Sequence, residues 1–140
     1  MNRVHVRPAA VDSAGFRLEP GGHATDHLRN WVCGSLRRWG LEPLAPDLEL
    51  IATELAGNAL RHGELPARAT LELLPARGVR LAVTDAGPGF LPEPVVASWE
   101  DDAEGAGRGR GLMIVSALST AWGVDRLDLG QRVWADLVPH

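Results

Sequence analysis

The stretch TELAGNALRHG, Thr53 to Gly63, lays apolar and polar residues in two strips at helical spacing. With the preceding turn included, Leu48, Ile51, Ala52, Leu55 and Ala59 recur at intervals of three or four. They form the apolar stripe of a helix that begins near Pro46 or Asp47 and closes at Gly63. Glu54 and Asn58 lie one turn apart beside that stripe, and Arg61 and His62 carry the polar strip one turn further. A solvated face is one meaning of such a strip. Chemistry supplies another, since a carboxylate accepts a proton from a hydroxyl or a water. An amide oxygen one turn away suits Mg²⁺, a hard cation that takes few protein ligands and keeps water or phosphate oxygens for the rest.

Upstream, residues 1–15 show no sustained periodicity and read as a tail, after which FRLEP is expected as a first strand carrying Phe16 and Leu18. PGG breaks the chain, and Leu28, Trp31, Val32, Leu36 and Trp39 then mark a helix from His23 to Trp39 that stops at Gly40. Downstream, Leu71 and Leu73, a PARG turn, and Val79, Leu81 and Val83 spell a hairpin whose second strand ends at Asp85. Segment 87–111 is rich in Gly, Pro and acid and reads as loop, with a short helical turn around Val95 to Trp99. Helical spacing resumes at Leu112, runs through Val115 and Leu118 to Trp122, and ends at Gly123; VDRLDLG and RVWADLV then form a last hairpin that turns near Gly130 and Gln131. The order β-α-α-β-β-loop-α-β-β predicts an α/β fold in which helices cover one face of a mainly antiparallel sheet, in one domain over residues 16–138.

Composition removes several chemistries. The chain has no lysine, so all 14 basic residues are arginine. A Walker A phosphate loop, a eukaryotic-type protein kinase and Schiff-base catalysis each need a lysine and are excluded. Cys33 is the sole cysteine, which rules out an intrachain disulfide or a multi-cysteine zinc site. A net charge of −4 argues against a broad grip on nucleic acid. No apolar run approaches the roughly 18–20 residues of a membrane helix, and the N-terminus lacks the apolar centre of a signal peptide. The expectation is a cytoplasmic protein with neither nucleic acid nor membrane as partner.

Two further motifs carry chemistry. In TDAGPGF, Asp85 closes a strand and Gly87 and Gly89 follow. An aspartate there accepts hydrogen bonds from the amino group of a purine while the glycines let the backbone come close; a plain strand-ending turn is the other meaning. In GAGRGRGLMIV, Gly105, Gly107, Gly109 and Gly111 lead into a helix. Exposed N–H groups at a helix N-terminus attract anions, and Arg108 and Arg110 add charge for phosphate; a flexible linker is again the alternative. The GxGxG spacing, with no strand before it, is not that of a Rossmann loop.

The set ELAGNALRH (Glu54–His62), DAGPG (Asp85–Gly89) and GRGRGL (Gly107–Leu112) resembles the N, G1 and G2 boxes of the Bergerat-fold (GHKL) ATPases, the superfamily of gyrase, heat-shock chaperones, sensor histidine kinases and mismatch-repair proteins. Within it the chain is most similar to the stand-alone anti-sigma factor serine kinases and their actinobacterial relatives, over residues 16–138. The resemblance implies a two-layer α/β sandwich that binds ATP and Mg²⁺ under a glycine-rich lid at 87–111. It implies that Glu54 is the base that activates the phosphate acceptor, Asn58 the Mg²⁺ ligand, Asp85 the adenine contact and Arg61 a phosphate contact. Gly87, Gly89, Gly107, Arg108, Gly109, Arg110, Gly111 and Leu112 fall in the ATP-binding boxes. The implied partner is an anti-sigma factor antagonist that carries the acceptor serine, with a sigma factor and a second copy of the chain as further partners. A regulator that holds its partner without phosphotransfer is the alternative function, and the acidic run Glu100, Asp101, Asp102 and Glu104 would suit a basic partner. Slow ATP hydrolysis is a third. Relatives often carry a G-K-T-V-W-like segment on the last hairpin, and the place of its threonine falls at Arg132 here.

Overall fold

The computed structural model describes residues 9–88 and 108–139, without the side chains of 108–110. Its five strands are β1 (Asp12–Leu18), β2 (Ala67–Leu73), β3 (Val79–Asp85), β4 (Ala121–Leu127) and β5 (Gly130–Leu137). They form one sheet in the order β1-β2-β3-β5-β4, and every neighbouring pair is antiparallel. The helices are α1 (Ala24–Arg38), α2 (Ala45–His62) and α3 (Arg108–Leu118), with a 3₁₀ turn at Glu42–Leu44 ahead of α2. Among the described residues no helix is long and apolar enough to cross a membrane.

Periodicity explains the layers. α1 buries Leu28, Val32 and Leu36, and α2 buries Leu48, Ile51, Ala52, Leu55, Ala56 and Ala59. The sheet answers with Ala69 and Leu71 of β2, Val79, Leu81 and Val83 of β3, and Val133, Ala135 and Leu137 of β5, all in the same core. Each fully buried Leu or Ile contributes about 1.5–3 kcal/mol by leaving water. α1 ends where Gly40, with φ of 69°, lets Gly40 N–H reach Arg37 O and Leu41 N–H reach Leu36 O, the paired bonds of a Schellman stop. Arg37 and Arg38 in that last turn complement the helix dipole.

The expected order of strands and helices holds over the described residues, and four boundaries differ. β1 starts at Asp12, inside the segment read as a tail, because Asp12 to Leu18 pair residue for residue with Leu73 to Ala67. α3 starts at Arg108, so Arg108 to Gly111 form its first turn rather than the end of a loop. It ends at Leu118, not at Trp122. Thr120 N–H and its hydroxyl both donate to Asp136 O, at 2.8 and 2.9 Å, which commits the chain to the sheet one residue before β4. Trp122 and Val124 therefore pack on the core from a strand, and Gly123 lies mid-strand beneath the Trp134 ring instead of closing a helix. The last turn falls at Asp128 and Leu129, which leaves Gln131 inside β5. The helical turn expected at Val95 to Trp99, the glycines Gly89, Gly105 and Gly107, and the acidic run Glu100, Asp101, Asp102 and Glu104 lie outside the described residues.

Candidate functional site

The inner face of the sheet is apolar until its last row. There Asp85, at the end of β3, pairs in register with Gln131, at the start of β5. Both are buried, and with Ser35 and Asn58 they make up the buried polar side chains of the described residues. α2 reaches the same end of the sandwich, because its closing residue Gly63 lies directly against the Asp85 carboxylate. A Cβ on Gly63 would stand 2.5 Å from both carboxylate oxygens, so only glycine allows the approach.

Asp85 is held from three sides. Its Oδ1 accepts Gly87 N–H at 2.7 Å and, more weakly, Glu64 N–H at 3.4 Å, while Oδ2 accepts Gln131 Nε2–H at 3.0 Å. Ala86 N–H donates to Glu64 O at 2.8 Å and ties the turn after β3 to the residue after Gly63. These bonds orient a carboxylate with acceptor capacity to spare, since each oxygen can take two donors.

From Gly63 the polar strip climbs α2. Asn58 is 5% exposed, and its Oδ1 has no hydrogen-bond partner among the described residues. A buried amide oxygen left unpaired costs about 1–3 kcal/mol, so such an atom marks a place where a ligand, an ion or a water belongs. One turn further, Glu54 is half-buried where α2 packs on the first turn of α3. A Cβ on Gly111 would stand 2.7 Å from Glu54 Oε2, so the carboxylate lies against the α3 backbone at the end that carries the positive pole of the helix dipole. Asp85 thus lies against Gly63 at the end of α2, and Asn58 and Glu54 stand on that helix five and nine residues before Gly63, an axial span of about 13.5 Å at 1.5 Å per residue.

Other expected site residues are placed differently. The Arg61 side chain is exposed and folds back over Gly57, lining the crevice between α1 and α2 with Leu18, Thr25 and Leu28 rather than joining Asp85. Leu112 is a core side chain at 1% exposure, which leaves only its backbone for a ligand. Gly87 is buried beside Asp85, and Arg108, Gly109, Arg110 and Gly111 provide the backbone of the first turn of α3. Arg132 faces away from the site and donates to Asp125 Oδ2 at 3.2 and 2.6 Å from the outer face of the sheet. The position that reaches Asp85 is Gln131, which the motifs did not single out. Counting back by twos from Leu137, Ala135 and Val133 finds it, because that alternation puts Gln131 on the inner face.

This donor set fits Mg²⁺ and an adenine nucleotide: a hard amide oxygen at Asn58 that is unpaired among the described residues, a carboxylate between glycines at Asp85, and helix N–H groups at the start of α3.

Comparison with known proteins agrees with this architecture. The family model described as Histidine kinase-like ATPase domain matches residues 18–137. Among solved structures the chain is similar to full-length ShkA in complex with AMPPNP, at 23% identity and a TM-score of 0.52, covering 92% of this chain and 32% of that one. It is also similar to the histidine kinase domain from Erythrobacter litoralis EL346 blue-light activated histidine kinase, at 20% identity and a TM-score of 0.49, covering 81% and 59%. The chain thus spans less than two thirds of either structure, and the likeness to ShkA is one of fold. No curated protein matches the chain. On the match of its residues 18–137, the chain belongs to the Histidine kinase-like ATPase domain family.

Proposed function

We propose that the protein is an Mg-ATP-dependent serine kinase that phosphorylates an anti-sigma factor antagonist. The observation that carries this reading is the buried Asn58 Oδ1, unpaired among the described residues and one helical turn from a carboxylate at Glu54. The AMPPNP named in the ShkA complex, whose fold this chain shares, supports an adenine nucleotide as the ligand.

In this reading Asp85 accepts from the adenine amino group, with Gly63 and Gly87 leaving room around it. Asn58 Oδ1 ligates Mg²⁺, and the N–H groups of the first turn of α3 receive phosphate oxygens. Bound ATP supplies the γ-phosphoryl group. Glu54 accepts the proton of the attacking serine hydroxyl, and its place beside Gly111 keeps it at the phosphate end of the strip.

The test is label transfer from γ-labelled Mg-ATP to a purified bacterial anti-sigma factor antagonist, read as phosphoserine. Glu54→Gln is expected to slow transfer by about 10²-fold or more, the usual worth of a general base, with ATP affinity within about threefold of wild type. Transfer at the wild-type rate in Glu54→Gln, or capture of the antagonist by the wild-type protein with no transfer, would contradict the proposal.

A further inference from the structure

The base end of the site has two buried acceptors where one would suffice. Gln131 is 1% exposed, and its Nε2 donates to Asp85 Oδ2 at 3.0 Å. A carboxylate offers only acceptors, so the amide nitrogen is the end that faces it, and this fixes which end is Oε1. That oxygen is buried and has no hydrogen-bond partner among the described residues. Folded proteins rarely leave such an atom unpaired unless a ligand or a water completes it.

Asp85 alone needs one N–H from a bound base, whereas Asp85 with Gln131 presents two acceptors side by side. We infer that Gln131 reads the base, its Oε1 accepting the second N–H of the adenine 6-amino group while Asp85 accepts the first. The inference rests on the adenine-nucleotide reading above. The 6-amino group is the place on adenine that offers two donors, while the adjacent ring nitrogens are acceptors and gain nothing from Oε1. A 6-oxopurine would set an acceptor against both oxygens. The arrangement follows from a strand position: Gln131 is inward and paired with Asp85, while its neighbour Arg132 is outward and held by Asp125.

The test compares Kd for ATP and for N6-methyl-ATP, which keeps one amino hydrogen, in the wild-type protein and in Gln131→Met, a side chain of similar length with no acceptor oxygen. The wild type is expected to bind N6-methyl-ATP about tenfold more weakly than ATP, the loss of one ordinary hydrogen bond. Gln131→Met should narrow that ratio to about twofold by weakening ATP alone. Crowding by the methyl group would persist in Gln131→Met and leave the ratio wide. A purely structural role for Gln131 would weaken both ligands equally and also leave it unchanged. Either of those results overturns the inference while the nucleotide site stands. A wild-type protein that fails to bind ATP overturns both. Thermal melting checks each variant, Gln131→Leu replaces Gln131→Met if the latter does not fold, and the wild-type comparison needs no variant: equal affinity for the two nucleotides overturns the inference by itself.

Discussion

Gly111→Ala separates stability from catalysis at a single methyl group. The three atoms nearest a Cβ at this position all belong to Glu54, with Oε2 at 2.7 Å and Cβ and Cδ at 3.8 Å. Ordinary contact begins near 3.4 Å, so the carboxylate must retreat by about 0.7 Å, and the rest of Glu54 has no cause to move. Ala replaces Gly within α3, a change worth up to about 1 kcal/mol of helix propensity. The fold should therefore be as stable as wild type or more so, with a melting temperature up to roughly 3 °C higher. Catalysis should respond in the opposite sense, because misplacing a reacting group by about 1 Å costs up to roughly 10²-fold. The assay is label transfer at saturating Mg-ATP, beside calorimetric Kd and thermal melting on the same preparation. The expected triad is intact folding, ATP affinity within about threefold, and transfer reduced by about 10- to 100-fold. Full transfer activity in a folded Gly111→Ala protein would refute the placement of Glu54 as the base. A collapse in stability would refute the argument that a flexible carboxylate is all that yields.

Two further predictions concern groups outside the site. Arg80 donates two bonds to Asp136, at 2.6 and 2.8 Å, and lies 4.2 Å from the centre of the Trp134 ring; the Asp136 bonds raise its pKa, outweighing burial. Asp136→Asn removes the charge from a pair only 12% and 18% exposed, and should cost about 1–2 kcal/mol in urea unfolding without changing ATP affinity, as the pair lies on the outer face. Cys33 donates to Glu49 Oε1 at 2.9 Å, and that bond first, then burial and the Glu49 charge, pushes the thiol pKa up. A raised thiol pKa favours the neutral form, so this contribution to stability is present below the ordinary thiol range and lost as pH rises through the folded value. Glu49→Gln should lower the pKa and speed iodoacetamide labelling at pH 8, which an unchanged rate would contradict.

Local periodicity was enough for α1, α2 and the β2–β3 hairpin, because in each the apolar positions of the chain are also the positions that meet the core. It failed where pairing decides. β1 extends back to Asp12 because β2 supplies seven partners, although Ser13, Ala14 and Gly15 carry no strand pattern of their own. Trp122 satisfies helical spacing after Leu118 and also points inward from β4, so the sequence pattern does not separate the two; the Thr120 bonds to Asp136 do. The polar line of the site was legible in part. Glu54, Asn58 and Asp85 stand in motifs with a chemical reading, and the structure has the first two on α2 and the third at the end of β3. Gly63 read only as a helix stop, because the carboxylate that forbids a side chain there is 22 positions away in the chain. Gln131 read as a turn residue, because its direction depends on the β3–β5 register. Arg61 fits the polar strip by spacing, but its long side chain lies over Gly57.

The most direct measurement is a calorimetric titration of the purified protein with ATP, with and without Mg²⁺, in the wild type, Asp85→Asn and Asn58→Ala. Asp85→Asn is expected to fold, because Gln131 can turn its amide by half a revolution and offer Oε1 to the new amide nitrogen. Saturable binding is expected in the wild type, with an affinity about tenfold or more weaker in Asp85→Asn, where an N–H of the base meets a donor. Mg²⁺ should strengthen binding to the wild type but not to Asn58→Ala. Absence of binding by the folded wild-type protein, or equal affinities in wild type and Asp85→Asn, would contradict a nucleotide site at Asp85.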